Sequence, residues 1–178
     1  AEYSVDNKPY SPKHFLPISM EGVKKDDYAM IFGYPGSTDR FLTSYGIQLA
    51  TEKDQPSRVK IRRKKLDIYE EGQAESSEVR IKYASKHASV SNYWKYFIGQ
   101  TEGLKNLKVY EKKKAIEDDF QNWVEKDSKR KEQYGEVINL YENAYNSLND
   151  VQLAETYLFE AIFGIEMIRY GIGFTRLK

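Results

Sequence analysis

The stretch YASKHASVSNYWKYFIGQTEGL, Tyr83 to Leu104, decides how the rest of the chain is read. Small residues recur through its first half (Ala84, Ser85, Ala88, Ser89, Ser91), Asn92-Tyr93-Trp94 follows, and Gly99 and Gly103 close it. Small side chains on a helix let another backbone or a ligand approach, and an amide beside large aromatics supplies donors and an acceptor in a partly dry place. That combination suits recognition of a small polar group. The same residues also read as plain structure, with Tyr93, Trp94 and Phe97 at helical spacing as core, Asn92 exposed or bonded to backbone, and the serines capping turns.

Working outward, Glu78 to Ile98 is predicted to form one helix carrying Val79, Tyr83 and Trp94, with a turn over Gly99 to Leu107. Gly72 and the polar AESS link it to an earlier helical region. There the chain turns helical from Phe41, breaks at Pro56 and restarts over Ser57 to Glu71. This helix contains RVKIRRKK, Arg58 to Lys65, in which six of eight residues are basic. Such a run raises nucleic-acid contact as a reading. Asp67, Glu70 and Glu71 follow within two turns, and mixed signs on one helix instead mark a solvated face with pairs three or four residues apart.

On the other side, the longest predicted element runs from Val109 to Asn149. Ile116, Phe120, Trp123, Tyr134, Val137, Tyr141, Ala144 and Leu148 recur at a period of about 3.5 residues, the pattern of helices packed at a shallow angle along a seam. At about 1.5 Å per residue this is a projecting rod of about 60 Å. Leu148-Asn149-Asp150 ends it. Val151 to Tyr170 returns as a helix with Ala154, Leu158, Ala161, Ile162, Ile165 and Ile168 on an apolar face wide enough to need more than one neighbour.

The N-terminal region differs. Pro9, Pro12 and Pro17 remove amide donors and fix φ, so residues 1 to 26 are extended chain and turns, with a short strand near Phe15 to Ile18. DYAMIFG, Asp27 to Gly33, reads as a buried β-strand stopped by the tight turn Gly33-Tyr34-Pro35-Gly36. Ser37, Thr38 and Asp39 are candidate helix caps. Glycines beside hydroxyls also raise an anion cradle, but the lysine of a phosphate loop is missing. The expected fold is mainly α, built of long antiparallel helices preceded by a short β segment.

With 28 Lys plus Arg against 27 Asp plus Glu, no whole-chain field attracts nucleic acid or an anionic membrane. Cysteine is absent and only His14 and His87 are present, so thiolate sites are excluded and neither a metal nor another cofactor is expected. Neither histidine stands near a nucleophile turn, so no catalytic triad is legible. No apolar run is long enough to span a membrane, and no basic-then-apolar leader opens the chain. Both ends read as cuts through a longer protein.

Four blocks keep their order over about the first two thirds of the chain: KPYSPKHFLPIS (Lys8 to Ser19), IFGYPGSTDRFLTSYG (Ile31 to Gly46), RIKYASKHAS (Arg80 to Ser89) and VSNYWKYFIGQTEGLKNL (Val90 to Leu107). Together they resemble the serine exopeptidases that include dipeptidyl peptidases 7 and 11, peptidase family forty-six. The resemblance implies a periplasmic or secreted enzyme with a chymotrypsin-like double β-barrel, whose triad lies outside residues 1 to 178. It implies that residues 1–37 belong to that catalytic domain and that residues 38–178 belong to an inserted helical cap.

It further implies that Asn92, in the SNYWK motif, binds the free amino terminus of a peptide substrate, with Tyr93 and Trp94 as supporting packing. An amide oxygen accepts from an ammonium group without the desolvation cost of a lone buried carboxylate. The remainder of the catalytic domain is then the chain's partner, a homodimer of the whole enzyme is compatible with the family, and side-chain specificity is set elsewhere. The competing expectation is a non-enzymatic helical scaffold that uses the aromatic stretch as a partner groove.

Overall fold

The computed structural model describes residues 5–30, 32–34 and 36–174. Its contacts divide the chain into two units, Ala1–Thr38 and Asp39–Lys178.

No strand occurs among the described residues of the first unit. The strand expected near Phe15 to Ile18 is absent, and so is the one expected over Asp27 to Gly33 at its described positions. Ile31, and Pro35 of the expected turn, lie outside the described residues. Phe15, Met30 and Phe32 are all exposed, so the unit provides neither a pairing ladder nor a second apolar layer, and an unpartnered strand is not stable. Its local order is a turn in which Asp26 takes φ 75° and the Asp27 carboxylate accepts the Lys24 amide at 2.7 Å.

The second unit is helical. In order come α1 (Ser44–Leu49), a widened π turn (Ala50–Asp54), α2 (Gln55–Glu75), α3 (Ser77–Asn106), α4 (Val109–Glu125), α5 (Ser128–Tyr134), α6 (Val137–Tyr157), a second π turn (Leu158–Ile162) and α7 (Glu166–Gly173). Helices α2 and α3 form an antiparallel hairpin with the single extended residue Ser76 between them, whose hydroxyl accepts the Val79 amide to cap α3.

Several breaks fall elsewhere than the sequence predicts. Pro56 does not interrupt the chain: it follows the π turn directly, the helical conformation runs through Asp54 and Gln55 into α2, and the widened turn accommodates the amide that proline lacks. Gly99 does not end α3, which continues to Asn106 and stops where Lys108 takes a left-handed φ of 51°. The helical cost of one glycine, about 1 kcal/mol, is outweighed by its neighbours.

The rod expected over Val109 to Asn149 is three helices. Asp127 leaves the helical region at φ −147° and caps α5 by accepting the Lys129 and Arg130 amides. A second joint falls at Gly135 and Glu136. The apolar positions that the period strings along one seam meet across the first joint, where Phe120, Trp123 and Tyr134 cluster with ring centroids 6.0 to 6.4 Å apart. Leu148-Asn149-Asp150 is no break, since α6 runs on to Tyr157.

The interior is unusually polar. Among the described residues Ser44, Thr51, Gln55, Glu117, Thr156 and Glu160 are buried, against only Ile47, Leu66 and Val124 of the large apolar side chains. Cohesion therefore depends on satisfying buried polar groups as well as on apolar contact. The wide apolar face expected near the C-terminus is present but open: Leu158, Ile162, Ile165 and Ile168 are all exposed.

Candidate functional site

The α2–α3 hairpin fixes the surroundings of Asn92-Tyr93-Trp94. At one end Gln55 bonds Gln100 and Thr101, and Gln100 donates to the Tyr96 hydroxyl at 2.7 Å. At the other, Tyr69 stacks on Tyr83 with centroids 5.3 Å apart. Between these ends the arginines of the basic run lie over the aromatic rings of α3. Arg62 sits 5.4 Å from the centroid of Tyr93 and 5.5 Å from that of Phe97. Arg58 lies 5.6 Å from Phe97, and Arg63 lies 5.3 Å from Trp94. These are cation–π distances, and guanidinium planes are well suited to them.

Each guanidinium is also held by carboxylates. Arg58 donates through Nε to Asp54 at 2.9 Å and through Nη1 to Oε1 of Glu160 at 2.9 Å. Arg62 Nη2 donates to that same Glu160 oxygen at 2.7 Å. Arg63 bonds Asp67 at 2.8 Å and Glu70 at 2.7 Å. Asp54 is steadied in turn by Thr156 at 2.8 Å and Gln152 at 3.2 Å.

Burial works against the charge of Arg58, yet Asp54 and Glu160 raise its affinity for the proton above the usual arginine range. Lys65 goes the other way. Partial burial lowers its pKa, only partly opposed by Glu160, whose backbone carbonyl accepts its ammonium, and Arg62 lowers it further. The basic run is thus no simple solvated face. The expected four-residue pairs are there, Arg58 with Asp54 and Arg63 with Asp67, but Arg58 and Arg62 also close onto a buried acid about a hundred residues away.

Glu160 and Asp54 are the members of this cluster that sequence reading misses. A signal was available for Glu160, which interrupts the apolar run Leu158-Phe159-Glu160-Ala161-Ile162. A carboxylate in such company is buried only with a cation beside it.

Of the residues singled out in the sequence, Tyr93 and Trp94 pack against the α2 arginines and Asn92 does not. Asn92 is exposed, with no hydrogen-bond partner for its side chain among the described residues. Ser85, Ser89, Tyr96 and Gly99 are exposed along the same side of α3. The space around Gly99 and Gly103 is open, so no backbone among the described residues makes use of those glycines. His87 lies 3.2 Å from Glu70 and His14 is exposed. Among the described residues no acidic or histidine cluster could hold a metal, and no helix is long and apolar enough to cross a membrane. Chemically, the arrangement offers a free amide on a helix whose opposite side is clamped by paired cations.

Comparison with known proteins bears on what such an amide meets. A family model described as Peptidase S46 matches residues 1–178. A dipeptidyl-peptidase 7 of Porphyromonas gingivalis is 44% identical over 172 residues, covering 96% of this chain and 24% of the relative. A second dipeptidyl-peptidase 7, from Porphyromonas endodontalis, is 39% identical over 95% of this chain and 21% of its own length. An Asp/Glu-specific dipeptidyl-peptidase of Flavobacterium psychrophilum is 36% identical over 100% of this chain and 25% of its own length. The chain therefore spans about a quarter of the length of the curated relatives it matches.

Proposed function

We propose that this chain, which belongs to the Peptidase S46 family, is part of a serine-type dipeptidyl aminopeptidase and supplies the receptor for the substrate's free amino terminus. Asn92 is the receptor. The observation that carries the reading is the contrast within about a turn and a half of α3: Tyr93, Trp94 and Phe97 have arginines over their rings, while the neighbouring exposed Asn92 amide has no partner among the described residues. An ammonium group needs acceptors, and a neutral amide oxygen on a stiff helix provides one in a fixed place. Fixing the ammonium two residues from the scissile bond makes a hydrolase release dipeptides, which is the activity for which the relatives are named.

In this reading residues 38–178 form a helical cap over a reaction centre outside the chain. Residues 1–37 belong to the chymotrypsin-like catalytic domain, whose strands would give the Asp27 to Gly33 segment the pairing partners it lacks here. The enzyme works in the periplasm or is secreted. Tyr93 and Trp94 support the helix and do not touch substrate.

The test is made in the full-length enzyme. Asn92→Ala should lower kcat/KM for substrates with a free amino terminus about 10- to 100-fold, the size of one hydrogen bond to a charged group. Labelling of the nucleophile by a small acylating inhibitor should be unchanged. Kinetics equal to wild type would remove Asn92 from the site, and a full-length protein without peptidase activity would favour the scaffold.

A further inference from the structure

We propose that Glu160 is a positioning residue for Asn92, setting the rotation of α3 about its own axis through Arg58 and Arg62. The inference rests on the reading of Asn92 as the amino-terminus receptor. Successive side chains leave a helix about 100° apart, so the direction in which Asn92 projects follows from where Tyr93 is held. Tyr93 and Phe97 are held by Arg62, and Phe97 also by Arg58. Both arginines converge on one atom, Oε1 of Glu160, at 2.9 and 2.7 Å.

Arg62 depends on that atom more than Arg58 does. Arg58 has a second anchor in Asp54, whereas the Nε of Arg62 is buried without a partner and its polar attachment runs through Nη2 to Glu160. Glu160 is itself well placed to be rigid. It is buried, it lies in the π turn that follows α6, and its backbone carbonyl accepts the Lys65 ammonium. The path therefore runs from a fixed carboxylate, through a guanidinium plane, to the ring adjacent to Asn92.

If the clamp is released, α2 and α3 remain joined at Ser76, by the Gln55 cluster and by the Tyr69–Tyr83 stack, so the hairpin persists while the azimuth of its middle turns becomes loose. A loosened receptor is expected to weaken productive binding of the ammonium and to leave the distant nucleophile intact.

The experiment is a double-mutant cycle in the full-length enzyme. Glu160→Gln should lower kcat/KM about 3- to 30-fold for substrates with a free amino terminus, chiefly through KM, and the loss should vanish in an Asn92→Ala background, as for two sites in one network. Arg62→Lys keeps the charge but gives up the planar stack on Tyr93, and should show the same coupled loss. Nucleophile labelling should be unchanged in both variants. Additive losses would overturn the positioning role and leave the reading of Asn92 standing. A silent Asn92→Ala would remove both. Labelling lost in both Glu160→Gln and Arg62→Lys would show a general structural role and overturn the proposal.

Discussion

The carboxylate of Glu117, on α4, closes the first turn of α1: Oε1 accepts the Ser44 amide at 2.6 Å and Oε2 accepts the Ser44 hydroxyl at 2.5 Å. Both residues are buried, and 73 positions of sequence separate them. Thr43 provides the ordinary local cap by accepting the Gly46 amide. The helix start therefore has two acceptors, one from its own flank and one from across the fold, and the negative charge suits the positive end of the helix.

Glu117→Ala should leave the Ser44 amide and hydroxyl buried without an acceptor, at a cost of about 2–3 kcal/mol. Amide exchange over Ser44–Leu49 should accelerate, and in a protein of this size Tm should fall by about 5–10 °C. Glu117→Gln keeps one acceptor and should lose less. Exchange in α1 that does not change on Glu117→Ala would show that Thr43 alone secures the helix start.

Gly164→Ala tests the packing around the second π turn. A methyl group at Gly164 would meet the Glu160 carbonyl oxygen and stand 2.5 Å from the Lys65 ammonium, which bonds that same oxygen. The backbone must shift, at a cost of about 1–3 kcal/mol. Faster amide exchange in α7 and the end of α6 is the expected result. An unchanged urea midpoint would mean that the loop absorbs the methyl without strain.

The acid limb of stability should depend on Glu70. Its hydrogen bond from Arg63, then that from His87, hold its carboxyl below the ordinary value of 4.5. With a folded-state value below the unfolded one, the carboxylate's contribution is complete above 4.5 and is lost as pH falls through the lowered value. Urea midpoints measured through that interval should fall less steeply for Glu70→Gln than for wild type. Parallel slopes would show that the Arg63 pair contributes nothing measurable, as exposed pairs often do.

What the sequence makes legible follows the range of the interactions involved. Helices appear where periodicity is local, as around Trp94, whereas the single helix expected over Val151 to Tyr170 is the end of α6, a π turn and α7, parted at Ile165, which leaves the helical region. Joints are harder, because they depend on single residues. Asp127 reads as a polar interruption of a long seam, yet its side chain is what allows α5 to start anew. Pro56 reads as a break, yet the chain passes from the π turn into α2 through it without leaving the helical region.

The site divides along the same line. Tyr93 and Trp94 are recognisable as aromatics at helical spacing, although Tyr93 is exposed and lies under Arg62 and not in a core, and pairing within the basic run follows from Asp67 four residues on. The destination of Arg58 and Arg62 cannot be read locally, because Glu160 comes from the π turn after α6, about a hundred residues along the chain. The strand expected over Asp27 to Gly33 is not formed at its described positions for a related reason. Alternation shows that a segment can pair, and pairing needs strands that these residues do not contain.

The joints at Asp127 and Gly135 carry a mechanical consequence. An uninterrupted helix from Val109 to Asn149 would act as a lever, passing torque from one end of the domain to the other. Two elbows divide that length, and the path between α6 and α4 runs instead through α1, where Tyr45 stacks on Tyr145 and Ser44 donates to Glu117. The long uninterrupted helices lie instead in the hairpin, where one non-helical residue separates 21 residues of α2 from 30 of α3.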